Sequence, residues 1–314
     1  GIPAPDVHLS AGSGTHAEQT ARILIAFEQH LLSAQPRSRG VLVVGDVNST
    51  LAATLTAVKL GIPVAHLESG LRSHDRTMPE EINRIVTDQI SDILWVHSEE
   101  AIRNLELEGI PPERAHFVGN TMIDSLVALQ ERFRELEFCR QFGLEPGSYL
   151  LVTLHRPALV DGPLLFEAVA ALNQVSTLMP VLFPVHPRTR ARLAGNAELA
   201  ENLRLVDPAG YLEFLSLESD AGAVLTDSGG IQEETSYLGV PCFTLRDNTE
   251  RPVTIELGTN ILLGLDPARI AEIPGIIASQ AKAEVEGTSA SPEPPPLWDG
   301  HAADRIADLL AEPA

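Results

Sequence analysis

Val224-Leu-Thr-Asp-Ser-Gly-Gly-Ile-Gln-Glu-Glu-Thr-Ser-Tyr-Leu-Gly239 is the stretch around which the chain is organised. Ala221 to Leu225 reads as an apolar strand, Thr-Asp-Ser-Gly-Gly follows it, and a helix-favouring run continues to Gly239. A strand that ends in small residues and opens a helix turns backbone N–H groups and the positive helix end towards one point. That is a place for phosphate. Gly229 and Gly230 let an anion approach the backbone, and Ser228 adds a hydroxyl donor. Glu234, one turn further on, comes within reach of a sugar hydroxyl when a nucleotide occupies the turn. The competing reading is an ordinary strand–turn–helix corner, and the stretch taken alone leaves both open.

Strand and helix alternate on either side of this corner. Upstream, Ala21, Ile23, Leu24, Phe27, Leu31 and Leu32 fall at helical spacing from His16 to about Ser33. Gly40 to Gly45 reads as a short buried strand, a helix runs from near Ser49 to before Gly61, and Pro63 to Leu67 is the next strand. Pro79 at a first helical position, followed by two acids, starts another helix. Asp92 to His97 and Ala115 to Val118 are strands, with Ser98 capping the helix between them. Gly119 opens a long helical pattern to about Phe142, broken at Pro146-Gly147 before the strand Tyr149 to Leu154. Further strands are expected near 180–185, 203–206, 241–245 and 260–263. Residues 284–297, rich in Ser, Glu and proline, read as a linker, and His301 to Leu310 as a last amphipathic helix.

This alternation predicts an α/β fold of two doubly wound Rossmann-like domains facing a cleft, with ligands at the carboxyl ends of the strands. The expected domains are 1–120, 121–297 and a C-terminal helix over 298–314. The chain opens on Gly1-Ile-Pro-Ala-Pro and reads as a fragment whose true start is missing.

Composition narrows the function classes. A formal charge of −21 over 314 residues disfavours nucleic acid, whose affinity rests on neutralised phosphates. An anionic ligand must then be held by local groups. No apolar run approaches the roughly 18 residues a membrane span needs. Cys139 and Cys242 supply no disulfide framework. A cytoplasmic protein without membrane or nucleic-acid partners is the expectation.

The strand ends carry the candidate chemistry. Asp46 and Glu68 follow neighbouring strands and belong on one sheet edge, where Glu80 could join them. His155-Arg156, His186-Pro-Arg188 and the Asp227–Gly230 turn end strands of the second half. Carboxylates facing a histidine and an anion nest suit acid–base chemistry on a phosphorylated substrate. Each has a structural alternative: Asp46 as a turn residue, Glu80 as a helix-dipole partner, His66, His97 and His116 as satisfied strand histidines. Neither metal-site spacing nor a P-loop nor a hydrolase elbow is present.

Gly45-Asp-Val-Asn-Ser-Thr50, His66-Leu-Glu-Ser-Gly-Leu-Arg72, Met78-Pro-Glu-Glu-Ile-Asn-Arg84 and Gly119-Asn-Thr-Met-Ile-Asp124 resemble the non-hydrolysing UDP-N-acetylglucosamine 2-epimerases. So do Thr153-Leu-His-Arg-Pro157, Leu225-Thr-Asp-Ser-Gly-Gly-Ile-Gln-Glu-Glu234 and Leu245-Arg-Asp-Asn-Thr-Glu-Arg-Pro252, in the same order along nearly the whole chain. The resemblance implies a glycosyltransferase-B-like fold, a UDP-N-acetylhexosamine substrate, no cofactor, a homodimer and a place in surface polysaccharide synthesis. It implies inversion at C2 by elimination of UDP and its re-addition. Carried over by position, Asp46, Glu68 and Glu80 are acid–base candidates and His155 lies against the phosphates. Ser228, Gly229 and Gly230 would hold the diphosphate, Glu234 the ribose hydroxyls, Phe214 the uracil face and Arg251 the nucleotide.

The chain departs from the family pattern in three places. The family's opening strand, ending Gly-Thr-Arg-Pro-Glu, has no counterpart, so the first sheet is expected to lack its N-terminal strands. His155-Arg-Pro-Ala158 stands where many members have His-Arg-Arg-Glu, and Ala209 where a glutamine is usual. Ser69-Gly-Leu-Arg72 favours the non-hydrolysing branch over a hydrolysing one that releases free sugar and UDP. A glycosyltransferase of the same fold and an inactive UDP-sugar-binding module are the remaining alternatives.

Overall fold

The computed structural model describes residues 3–195, 198–287 and 293–311. The chain forms two compact units. One runs to Asn120 and takes back the chain from Ala303; the other is Thr121–Ala302.

The first unit holds a parallel sheet ordered β1-β2-β3-β4, with β1 Val41–Val44, β2 Val64–Leu67, β3 Ile93–Val96 and β4 Ala115–Phe117. Alternate side chains of β3 serve opposite faces, as strand geometry requires. Leu94 and Val96 pack with Ala101, Leu105 and Ile110, while Trp95 packs with Val118 and Ile306. Ile306 lies on the chain's last helix, Ala302–Ala311, so this helix covers one face of the first sheet. The strand read as buried, β1, is buried on one face only. Val43 is hidden against Leu31 and Ala57, whereas Leu42 and Val44 stay about half exposed. Its cover comes on that one face from Leu31 of the helix His16–Ser33 and Ala57 of the helix Asn48–Lys59.

The helices follow their local signals. His16–Ser33 starts from a Thr15 capping box that includes Glu18. Pro79 occupies the first turn of Pro79–Ile90, and Ser98 accepts Ala101 N at the start of Glu99–Leu107. The long helix expected to reach Phe142 ends sooner. Thr121–Arg134 stops, Glu137 turns left-handed at φ 41, and a 3-10 turn covers Phe138–Phe142. Helical periodicity persists across that break because Phe138 and Phe142 still face the core, which period alone cannot distinguish.

The second unit is a six-stranded parallel sheet ordered β10-β9-β8-β5-β6-β7. Its strands are β5 Leu150–Thr153, β6 Val181–Pro184, β7 Leu203–Val206, β8 Ala223–Thr226, β9 Cys242–Thr244 and β10 Asn260–Leu262. Numbered within the sheet this is 3-2-1-4-5-6, the Rossmann order, with its reversal between β5 and β8. Leu150, Val152, Phe183 and Leu225 feed one core cluster; Leu151, Leu182 and Val224 feed the other. Both faces are buried, which is why these strands read as continuous apolar runs. The linker expected over 284–297 falls partly on 288–292, outside the described residues. The helix Ile273–Val285 reaches into its start.

Candidate functional site

In the first unit, β1 and β2 pair with Val44 opposite Leu67, so Gly45-Asp46 and Glu68 leave the sheet side by side. Gly45 and Glu68 are both left-handed, at φ 70 and φ 66. Glycine reaches that region freely, whereas a residue with a Cβ holds it at about 1–3 kcal/mol. Glu68 Oε2 lies 3.7 Å from where a Cβ on Gly45 would stand, so the carboxylate lies over the neighbouring turn.

Asp46 Oδ2 takes Arg84 Nη2 at 2.6 Å, and Asn83 Nδ2 donates to the Asp46 carbonyl at 2.8 Å. Both partners ride on the helix Pro79–Ile90. Glu80, at its start, precedes Arg84 by four residues and so shares that helix face, exposed to solvent. Glu81 does different work. It is buried and accepts from Ser73 N, Ser73 Oγ and His74 N at 2.8, 3.0 and 3.1 Å.

Beneath this edge sits Asp88, which sequence reasoning did not single out. Its Oδ1 meets His66 Nδ1 at 2.7 Å, and its Oδ2 meets Arg72 Nη2 at 2.7 Å and accepts Gly70 N at 3.1 Å. Burial pushes the Asp88 carboxyl up, but the bonds and charges of His66 and Arg72 outweigh it and hold it below the usual carboxylate range. His66 Nε2 in turn binds Gly45 O at 2.8 Å. The turn that carries Asp46 is therefore tied through His66 to a buried charge. Arg72 closes the network with two bonds to Glu108, at 2.7 and 2.8 Å.

In the second unit, the loops after β5 and β8 meet where the strand order reverses. Asp227 is buried and fastens one loop to the other. Its Oδ2 accepts His155 N at 2.9 Å and Arg156 N at 2.8 Å, and His155 Nδ1 lies 2.8 Å from its Oδ1. Arg156 Nε donates to the Asp227 carbonyl at 3.0 Å. The Asp227 bond favours the His155 imidazolium over the opposing effects of burial, Arg156 and Arg246, raising its pKa above the ordinary imidazole value. The exposed ring thus stands beside the turn with its protonated form favoured by Asp227.

Ser228 caps the helix Gly229–Leu238 by position, and its hydroxyl bonds none of the first-turn N–H groups. Gln232 Nε2 donates to Ser228 O at 3.0 Å, while Gln232 Oε1 accepts from Thr249 Oγ1 and Asn260 Nδ2 at 2.7 and 3.0 Å. A buried polar network with its partners in place rigidifies what it touches. Here it touches the Ser228 turn. Gly229 admits Arg251, since a Cβ there would stand 2.5 Å from Arg251 Nη1. Arg251 is buried and joins Glu233 at 2.9 Å and Glu250 at 2.7 Å. Burial pushes the Glu250 carboxyl up, but Arg251 and Arg246 bring it down to about 2.

Glu234 is buried one turn along and accepts Tyr211 Oη at 3.2 Å; burial pushes it up to about 7. Phe214, on the same helix as Tyr211, is half-buried against the Tyr149 and Leu217 cluster. Asp46, Glu68 and the helix bearing Glu80 thus gather in the first unit; His155, Ser228, Gly229, Gly230, Glu234, Phe214 and Arg251 belong to the second. His186 caps the helix Pro187–Leu193, accepting Arg188 N at 3.3 Å.

Sequence reasoning missed Arg84, Asp88, Gln232 and the bridging role of Asp227. Arg84 and Gln232 stand inside the quoted motifs, and their polar side chains at helix positions facing a site turn were the available signal. Among the described residues, no group of three or more His, Cys, Asp or Glu side chains is gathered as a metal set, and no helix is long and apolar enough to cross a membrane.

The UDP-N-acetylglucosamine 2-epimerase family matches residues 1–311. A Methanococcus maripaludis UDP-N-acetylglucosamine 2-epimerase is 44% identical over 280 residues, 86% of this chain and 76% of its own. A Pseudomonas aeruginosa UDP-2,3-diacetamido-2,3-dideoxy-D-glucuronate 2-epimerase is 40% identical, covering 99% of this chain and 85% of its own. The crystal structure of Methanocaldococcus jannaschii UDP-GlcNAc 2-epimerase in complex with UDP-GlcNAc and UDP is similar at a TM-score of 0.82 and 40% identity. That likeness covers 98% of this chain and 85% of the other. The fold is thus α/β with two Rossmann-like parallel sheets, of the glycosyltransferase-B-like type, and the chain belongs to the UDP-N-acetylglucosamine 2-epimerase family.

Proposed function

We propose that the protein reversibly converts UDP-N-acetylglucosamine to UDP-N-acetylmannosamine without net hydrolysis. A base removes the C2 proton, the C1–O bond to UDP breaks, and a C1=C2 double bond forms. UDP then re-adds at C1 while an acid returns a proton to the other face of C2. Asp46, Glu68 and Glu80 are the groups for these transfers. Arg84 holds the Asp46 carboxylate in place at 2.6 Å, and a positioned carboxylate is what proton transfer needs. Departing UDP develops negative charge, which the Ser228–Gly230 turn, the helix N-terminus and the His155 side chain suit. Glu234 takes the ribose hydroxyls, Phe214 the uracil and Arg251 the nucleotide end of the turn.

The observation that carries most weight is the reversal point of the second sheet, where Asp227 sets His155 beside the Ser228 turn. The test is incubation with UDP-GlcNAc in D2O, followed by proton NMR. UDP-ManNAc with deuterium at C2 supports the proposal. Free ManNAc with stoichiometric UDP would make the enzyme a hydrolysing epimerase, and unchanged UDP-GlcNAc would make it a binding module or a transferase awaiting an acceptor.

The Pseudomonas relative favours a second reading for the sugar. Its name specifies a 2,3-diacetamido uronate, at an identity close to that of the UDP-GlcNAc enzymes. Relative kcat/KM for the two UDP-sugars decides between them. The family resemblance further implies a homodimer in the cytoplasm, and light scattering after size exclusion tests the dimer.

A further inference from the structure

Glu218 lies on the helix Tyr211–Ser219 and Glu234 on Gly229–Leu238. Glu218 is wholly buried, and Glu234 is 6% exposed. Neither oxygen of Glu218 meets an N–H or O–H donor; the group it faces is the Glu234 carboxyl. Two buried carboxylates in contact cannot both ionise cheaply, because neither charge is solvated and each opposes the other. One retained proton resolves the conflict: the acid donates, and its partner accepts.

The other groups around the pair do not supply that proton. Tyr211 donates to Glu234 Oε1 at 3.2 Å, a bond that leaves Glu218 untouched. Glu233 adds a further negative charge near Glu234 and is itself paired with Arg251. Cys242, on β9, is pushed up to about 12 by burial, with Glu218 adding to the rise, and stays a neutral thiol.

We infer that Glu218 is a positioning residue for the nucleotide: it keeps a proton and donates it to Glu234, leaving Glu234 an ionised acceptor for the ribose hydroxyls. This rests on the ribose role proposed for Glu234. Burial holds Glu218 well above the usual carboxylate range, whereas Glu234 comes to about 7. Above that pH the pair carries one proton; below it, two. With both protonated, Glu234 cannot accept from two hydroxyls with full charge. The ribose-dependent part of UDP affinity therefore falls as pH drops through about 7 and levels off above it, and binding near the midpoint releases a proton.

The experiment is calorimetric titration of the protein with UDP and with 2′,3′-dideoxy-UDP, from about pH 5.5 to about pH 8.5. The ratio of the two affinities cancels the titration of the phosphates and of His155. In the parent protein the ratio should rise with pH about tenfold, and UDP should release more protons than the dideoxy compound. Glu218→Leu removes the donor and should lower the ratio at pH 7 about tenfold, moving the rise to higher pH. Glu218→Gln keeps an N–H donor and should restore the parent ratio at pH 7, which a purely structural role would not require. A flat ratio in the parent, parent values in Glu218→Leu, or a Gln variant no better than Leu would overturn the inference while Glu234→Ala still weakens UDP. Unchanged UDP affinity in Glu234→Ala would remove the ribose role, and this inference with it.

Discussion

The two units fix their site residues by different means. In the first, side chains do the holding: Arg84 grips Asp46, and Asp88 reaches the Gly45 turn through His66. In the second, the backbone does more of it. Asp227 accepts the N–H groups of His155 and Arg156, and Gln232 holds the Ser228 carbonyl. The difference suits the two tasks proposed for them. Proton transfer needs carboxylates with room to change protonation state, and Asp46 and Glu80 keep contact with solvent. Binding a nucleotide, the task proposed for the second unit, needs a rigid shape, and there Asp227, Gln232 and Arg251 are buried and already paired.

This contrast is sharpest at Asp46. Asp46→Asn should lower kcat by about 100-fold or more while leaving UDP affinity near its parent value. Steady-state kinetics and calorimetry measure the two halves; a loss in UDP affinity as large as the loss in kcat would erase the distinction. Glu234→Ala should behave in the opposite sense, weakening UDP by about 1.5–3 kcal/mol through lost bonds to a charged acceptor. An unaltered Kd would show that the nucleotide does not lie along that helix.

Gln232→Leu tests rigidity rather than contact. It strands Asn260 and Thr249 beside an apolar side chain, at about 1–3 kcal/mol of stability. Chemical denaturation reads that loss; parent stability would show that the network does not hold the turn. The smallest effect concerns pH. His155 has a raised folded-state pKa, so its pairing with Asp227 stabilises fully below the ordinary imidazole value and fades as pH rises through the folded one. The ring is largely exposed, which keeps the contribution small. His155→Gln should flatten this part of the stability–pH profile, and an unchanged profile would assign it to other groups.

Much of this arrangement was legible in the sequence because it is local. The Ser228–Gly239 corner, the Pro79 helix start and the Thr15 and Ser98 caps each depend on neighbours within a turn, and those signals are printed in order. What escaped is what distant segments do together. Asp88 looks like any acid on an amphipathic helix until the fold brings His66, Arg72 and Gly70 onto it. Glu218 likewise reads as a polar helix residue, yet the fold buries it completely against Glu234 of another helix. The exposed face of β1 escaped for a related reason: an apolar run does not say whether distant helices will cover one of its faces or both.

The division of labour is tested most directly by the exchange of the substrate's C2 proton in D2O, followed by NMR at saturating UDP-GlcNAc. With Glu234→Ala, exchange at saturation should stay within a few-fold of the parent, because only binding is weakened. With Asp46→Asn it should fall by about 100-fold at every concentration. Equal losses in both variants at saturation, or undiminished exchange in Asp46→Asn, would contradict the account.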